Sequence, residues 1–298
     1  MSEPLVIRAG ATTDRGLRRE TNEDALVVTA GMCAVADGMG GHEAGEVASA
    51  LAVRTLGASP LFTLEDFHDF EVEEPEPPLD IARFRATVER ELRLDPEVPN
   101  AAIEAVRRVR SVLWQADRHI QQACEGRAGT TITGVWLVQI DGRPLWIVFN
   151  TGDSRTYRLL EPGHRTGAVG TDGAPEIEQL TVDHSEVQYL VSIGQITSAQ
   201  ALVHPRRNVI TRALGTGQVW EPDVWVIPAR HGDRLMLCSD GLTNELSPAH
   251  MARVLTAVPH PKEAADVLLQ AALRTGGRDN VTVIVADAVR PGEFAPGF

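Results

Sequence analysis

The sequence predicts an α+β fold, with antiparallel β-sheets packed together and covered by α-helices. Strand-like stretches cluster and helix-like stretches cluster, without the regular alternation of a parallel βαβ sheet. Asp141-Gly142 stands between two apolar runs, which is the chemistry of a tight antiparallel hairpin. The chain then closes on an apolar strand, Val281 to Val289.

The elements follow in order. Residues 5–12 alternate loosely and read as a strand, and residues 25–29 and 32–36 read as two more. Residues 43–56 turn helical, with Val47, Leu51 and Val53 near one face and Gly57 as the stop. Residues 58–100 change character: positions 65–80 carry eight acids and no base, and Pro75, Pro77 and Pro78 end that run. This acidic insertion reads as a solvated loop, with a short amphipathic helix on Ile81, Phe84, Val88 and Leu92. Residues 103–123 form a longer helix. Strands are expected over 130–140, 145–149, 154–160, 224–227 and 234–238, short helices over 185–193 and 198–203, and helices over 248–256 and 262–274. Residues 163–175 read as a loop and 290–298 as a Pro/Gly-rich tail. The expected organisation is one domain over 1–289.

Composition bounds the function. The chain has 298 residues, 43% of them apolar and 23% charged, with a net charge of −13. That is a globular composition. Its acidity disfavours nucleic acid as a partner. No apolar run approaches the roughly 18 residues of a membrane span. Met1-Ser2-Glu3-Pro4 shows no secretory pattern, and Cys33, Cys124 and Cys238 are an odd, widely spaced set. Both point to free thiols in a cytoplasmic protein.

Several catalytic schemes fail on spacing. No cysteine has an arginine six positions on, Gly-x-Ser-x-Gly breaks at Thr156, and the lone lysine, Lys262, lies in no phosphate-binding loop. What recurs is aspartate beside a small or polar residue after an apolar strand: Asp37-Gly38, Asp153-Ser154, Asp240-Gly241 and Asp279-Asn280. A carboxylate at the end of a buried strand is costly unless something neutralises it. Four such corners converging would form an all-oxygen cage, suited to Mg²⁺ or Mn²⁺ rather than zinc. Two such ions could share a carboxylate and sharpen a bridging water for in-line attack on phosphorus. Arg18 and Arg19 are candidates to grip the phosphate oxygens. The residues alone therefore suggest a two-metal hydrolase acting on a phosphate ester.

Seven stretches in order add a resemblance: 13–24, 35–42, 129–131, 152–155, 204–215, 239–242 and 278–280. Together the chain resembles the bacterial metal-dependent serine/threonine protein phosphatases of type 2C, the PPM family. The resemblance implies two antiparallel sheets packed face to face with helices outside both, a four-layer αββα sandwich. It implies two Mn²⁺ or Mg²⁺ ions. Asp37 would bridge them, the Gly38 carbonyl would bind one, and Asp240 and Asp279 the other. Arg19 would grip substrate phosphate. Glu23, Asp24, Asp153 and Asn280 would support the ligands. His42 stands open between leaving-group proton donor and structural residue. Residues 183–207 resemble the family's flap beside the active site. The implied partners are phosphorylated proteins, notably Ser/Thr kinases and their substrates, and the implied state is a monomer.

Two departures stand out. Relatives often carry an acid shortly before Gly-Thr-Thr, where it helps hold a third, looser ion; here Gly126-Arg127-Ala128 precede Gly129. A third ion would lean on Asp153 and Asp240. The second departure is the acidic insertion itself. Two alternatives remain at this stage: a non-catalytic phosphoprotein-binding module on the same fold, and a phosphatase dedicated to one regulator such as an anti-anti-sigma factor.

Overall fold

The computed structural model describes residues 4–40, 44–62, 99–160, 174–218 and 221–293. Strands β1 (Val6–Asp14), β7 (Arg155–Leu159), β8 (Ile177–Gln179), β10 (Arg234–Cys238) and β11 (Val281–Val289) form one sheet, in the order β1-β11-β10-β7-β8. Strands β2 (Asp24–Val28), β3 (Met32–Met39), β5 (Ile132–Ile140), β6 (Arg143–Thr151) and β9 (Asp223–Pro228) form the other, in that order, with the short β4 (Gly129–Thr130) against β3. Every pairing is antiparallel.

Side-chain alternation divides the apolar residues into three layers. In β3, Cys33 and Val35 point to the other sheet, while Met32, Ala34 and Ala36 pack under α1 (Ala44–Ala58) and α2 (Pro99–Cys124). In β11, Ile284, Ala286 and Ala288 face the inter-sheet core, while Val281, Val283 and Val285 pack under α6 (Pro248–Ala257) and α7 (Pro261–Thr275). Both faces of each sheet are thus covered, so the strands read as continuous apolar runs despite being antiparallel. The expected helix–sheet–sheet–helix order is what is seen.

Local chemistry sets the boundaries. Asp141 and Gly142 both adopt positive φ, 50° and 74°, as a two-residue hairpin loop needs. Ser247 accepts from the His250 amide and Pro248 opens α6. Other boundaries shift. The helix α1 runs through Gly57 to Ala58, so Gly57 is not its stop. Strand β3 continues past Ala36 through Asp37-Gly38 to Met39. The expected strand over 130–140 divides at Thr131 into β4 and β5. Residues 183–207, the expected flap, contain two short helices, α3 (Glu186–Ser192) and α4 (Ser198–Ala201). Most of the acidic insertion, the expected helix at Ile81–Leu92, the 163–173 part of the expected loop and the end of the tail lie outside the described residues. Cys33, Cys124 and Cys238 are buried and unpaired. Among the described residues no helix is long and apolar enough to cross a membrane.

Candidate metal centre

The strand ends gather the acids. The β2–β3 register sets Asp24 opposite Asp37. The β10–β11 ladder ends at Cys238 opposite Val283, so the following Asp240 and the preceding Asp279 emerge at the same edge. Asp240 is the first residue of a one-turn helix, α5 (Asp240–Thr243). Asp153 follows β6 and is buried.

Asp37-Gly38 lies within β3 and Asp240-Gly241 within α5, so neither pair is a turn. Neither Gly38 nor Gly241 has positive φ. Each glycine instead makes room for neighbouring backbone. A Cβ on Gly38 would lie 2.1 Å from the Gly45 carbonyl oxygen, and one on Gly241 would lie 1.9 Å from that of Asn280. Glycine here lets chain segments approach closely enough for their aspartates to meet.

Asp24 spans the two sheets. Its Oδ2 accepts from Ser239 Oγ at 2.8 Å and Thr282 Oγ1 at 2.7 Å. Its Oδ1 is buried and has no hydrogen-bond partner among the described residues. Burial pushes the Asp24 carboxyl up to about 7, against the pull of those hydroxyls, and Asp240 and Asp279 push the same way. Burial also holds Asp37 well above the ordinary carboxylate range, reinforced by Asp24, Asp240, Asp153 and Asp279. Asp153 is pushed up to about 7 by burial, then by Asp240 and Asp183, with Arg155 opposing. Asp240 is raised by burial and then by Asp279, while a hydrogen bond from Asn244 opposes. Asp24, Asp37, Asp153 and Asp240 thus lie within electrostatic reach of other aspartates.

The donor set suits a hard cation. It consists of carboxylate oxygens and main-chain carbonyls, with an orphaned carboxylate oxygen on Asp24 and no donor on the Asp37 carboxylate among the described residues. The cage is open rather than closed. Among the described residues no three acids, imidazoles or thiols stand as a finished ligand set. Asp279 and Asp240 each turn one oxygen to a protein donor. Asp279 Oδ2 accepts from Arg19 Nη2 at 2.8 Å, and Asp240 Oδ2 accepts from Asn244 Nδ2 at 3.1 Å.

The remaining expected residues lie around this edge. Arg19 is half exposed, and its bond to Asp279 raises its pKa further. Asn280 is a hub: its Nδ2 donates to the Arg15 and Thr21 carbonyls at 3.0 and 2.8 Å, and its Oδ1 accepts from the Glu23 amide at 2.8 Å. It therefore holds the loop that carries Arg19 against Asp279. Glu23 is raised by burial, with Arg19 opposing. His42 lies outside the described residues. Arg127, before the Gly-Thr-Thr, is exposed and pairs with Glu125 at 3.1 Å.

Sequence reasoning missed several partners. Ser239 and Thr282, which fix Asp24, sit beside recognised motif residues but carried no assigned role. Arg155 makes a two-point contact with Asp183 at 2.8 and 2.6 Å, and His184 Nδ1 accepts from the Gly152 amide at 3.1 Å. These contacts tie Asp183 and His184 to the Asp153 corner. They join residues about 30 positions apart, and no local pattern announces them.

A family model described as protein phosphatase 2C matches residues 17–275. The chain belongs to the protein phosphatase 2C family. A serine/threonine protein phosphatase PstP of Mycobacterium tuberculosis is 38% identical over 285 residues, covering 96% of this chain. The chain spans about half the length, 46%, of that mycobacterial relative. A serine/threonine phosphatase stp of Listeria innocua is 32% identical over 92% of this chain and 93% of its own length. The crystal structure of the catalytic domain of serine threonine protein phosphatase PstP in complex with two manganese ions superposes with a TM-score of 0.65. It is 34% identical and covers 96% of this chain and all of the other.

Proposed function

We propose that the chain is a metal-dependent phosphatase acting on phosphoserine and phosphothreonine side chains of proteins. The observation that carries this reading is the gathering of Asp24, Asp37, Asp153, Asp240 and Asp279 at one edge of the sandwich, with Arg19 at its rim. The manganese-bound relative supports the choice of ion.

Asp37, the Gly38 carbonyl, Asp240 and Asp279 would hold two Mn²⁺ or Mg²⁺ ions. Bound there, the ions would supply charge neutralisation and a water acidic enough to attack phosphorus. The protein's own groups do the rest. Arg19 offers a planar, permanently charged fork to the non-reacting phosphate oxygens. Asp24, locked by two hydroxyls, backs Asp37 from behind. Asn280 sets the reach of Arg19 by holding the loop that bears it. His42 is the candidate donor of a proton to the departing serine or threonine oxygen. A third ion would rest on Asp153 and Asp240, without an acid at position 127. Phosphorylated proteins, including Ser/Thr kinases, are the proposed partners of a cytoplasmic monomer.

The test is phosphate release from a phosphothreonine peptide. Activity should require Mn²⁺ or Mg²⁺, vanish in chelator and vanish in Asp240→Asn. Arg19→Ala should raise KM for the peptide. Full turnover in excess chelator would defeat the reading.

A further inference from the structure

Glu245 and Arg278 stand at the outer edge of the candidate centre and have no part in the scheme above. Glu245 lies just beyond α5, the helix that Asp240 opens. Arg278 immediately precedes Asp279, in the segment between α7 and β11. Three hydrogen bonds join them. Glu245 Oε1 accepts from the Arg278 amide at 3.1 Å and from Nε at 2.9 Å, and Oε2 accepts from Nη2 at 3.1 Å. The Glu245 side chain is 2% exposed, while that of Arg278 is 67% exposed. A carboxylate so withdrawn from water depends strongly on its cation. The Arg278 hydrogen bonds hold it below its ordinary range.

The position of this pair matters because of what lies inside it. The β10–β11 ladder ends at Cys238 and Val283. Beyond it, Asp240 and Asp279 repel each other. Between them α5 and the loop before β11 meet closely, since a Cβ on Gly241 would lie 1.9 Å from the Asn280 carbonyl oxygen. The Glu245–Arg278 fork joins the same two segments with three hydrogen bonds, and so fixes where the Asp240 and Asp279 backbones stand relative to each other. We propose that the Glu245–Arg278 pair is a positioning device that holds Asp240 and Asp279 at the spacing two divalent ions need. The inference rests on the metal-holding reading of those two aspartates.

Charge alone and positioning predict opposite results. Removing an exposed arginine next to a cation site should tighten cation binding if only charge matters. If position matters, binding weakens, because outer partners of metal ligands are worth on the order of tenfold or more in affinity. The measurement is Mn²⁺ binding by titration calorimetry on the full chain, with no substrate present. Arg278→Ala should bind Mn²⁺ about tenfold more weakly than wild type. Arg278→Lys keeps the charge but loses the fork, so its affinity should fall between the two. Arg278→Ala binding as tightly as wild type, or more tightly, overturns the proposal. Should Arg278→Ala fail to fold, Arg278→Lys decides: weaker binding supports the proposal and unchanged binding overturns it. Wild-type protein that binds no Mn²⁺ would instead defeat the metal-centre reading itself, and this inference with it.

Discussion

The two ends of the sandwich both withdraw aspartates from water, yet they treat them differently. At the end away from the candidate centre, Asp287 accepts from Arg8 at 3.1 Å and from Arg234 at 2.7 and 2.9 Å. Nearby, Asp233 accepts from Arg158 at 2.6 Å, Trp146 at 3.2 Å and the Arg230 amide at 2.8 Å. Each acid there is matched by a base. At the other end, Asp37 meets four other aspartates, and Asp24 keeps a buried oxygen without a partner among the described residues. Arg19 and Arg155 are close, but Arg19 engages Asp279, and Arg155 is held by Asp183 and Tyr157. Burial does not separate the two ends; compensation does. Uncompensated buried acids cost stability, and a fold that sets Asp37 and Asp153 beside the half-satisfied Asp24 is arranged for a cation it does not itself provide.

Breaking the uncompensated end should abolish activity and relieve strain at once. Asp37→Asn removes the most repelled carboxylate, so phosphatase activity should fall by at least about a thousandfold. Melting in chelator should shift upward, because one repelling charge is gone. Lower stability in chelator would contradict the comparison. At the compensated end the signs reverse. Asp287→Ala leaves the Arg234 guanidinium without its carboxylate and should cost about 3 kcal/mol, while Mn²⁺ affinity stays that of wild type. Chemical denaturation and calorimetry measure the two quantities separately.

Added cation should cancel the difference between the ends. At about 100 times its dissociation constant, Mn²⁺ stabilises the folded chain by about 2.7 kcal/mol, read as an upward shift in Tm that chelator reverses. In chelator, pH should reveal the same stress. Asp24 and Asp153 hold their protons to about 7 in the folded chain, against an ordinary 3.8. Between those values the folded state binds more protons than the unfolded state, so stability falls as pH rises. It is highest below the ordinary value of 3.8 for these groups, taken alone, and is lost as pH climbs through about 7. Denaturant midpoints in chelator that rise over this window would count against the raised values.

Much of this was readable beforehand. The apolar run of β11 and the Asp141-Gly142 hairpin are local signals, and both stand as expected. What local pattern could not reveal is how distant chain segments approach one another. Gly38 and Gly241 look like turn residues in sequence, and act through the backbone they admit. In α2, Arg108 and Arg110 are buried, and pair with Glu104 at 3.5 Å and Glu221 at 3.1 Å. The second partner lies more than 100 positions away, a distance no periodicity spans. The Glu245–Arg278 contact is hidden in the same way.

The smallest effect concerns the polar seam that runs inward from the centre. Thr131 Oγ1 meets Ser154 Oγ at 2.8 Å, and Thr133 Oγ1 meets Thr156 Oγ1 at 2.8 Å, all of them buried. Thr133 and Thr156 belong to different sheets, so this pair crosses the sandwich. Deeper in, the same interface is purely apolar, with Val135 and Leu235 among its members. If the hydroxyls matter through mutual satisfaction, removing one is worse than removing both. Thr133→Val alone should cost about 1–2 kcal/mol, since the Thr156 hydroxyl is then buried without its partner. Thr133→Val with Thr156→Val should restore most of that loss, because valine matches threonine in shape and no orphan remains. Activity should be unchanged in both. A double variant that costs the sum of the two singles would show that the hydroxyls act independently and that the seam is no more than two separate threonines.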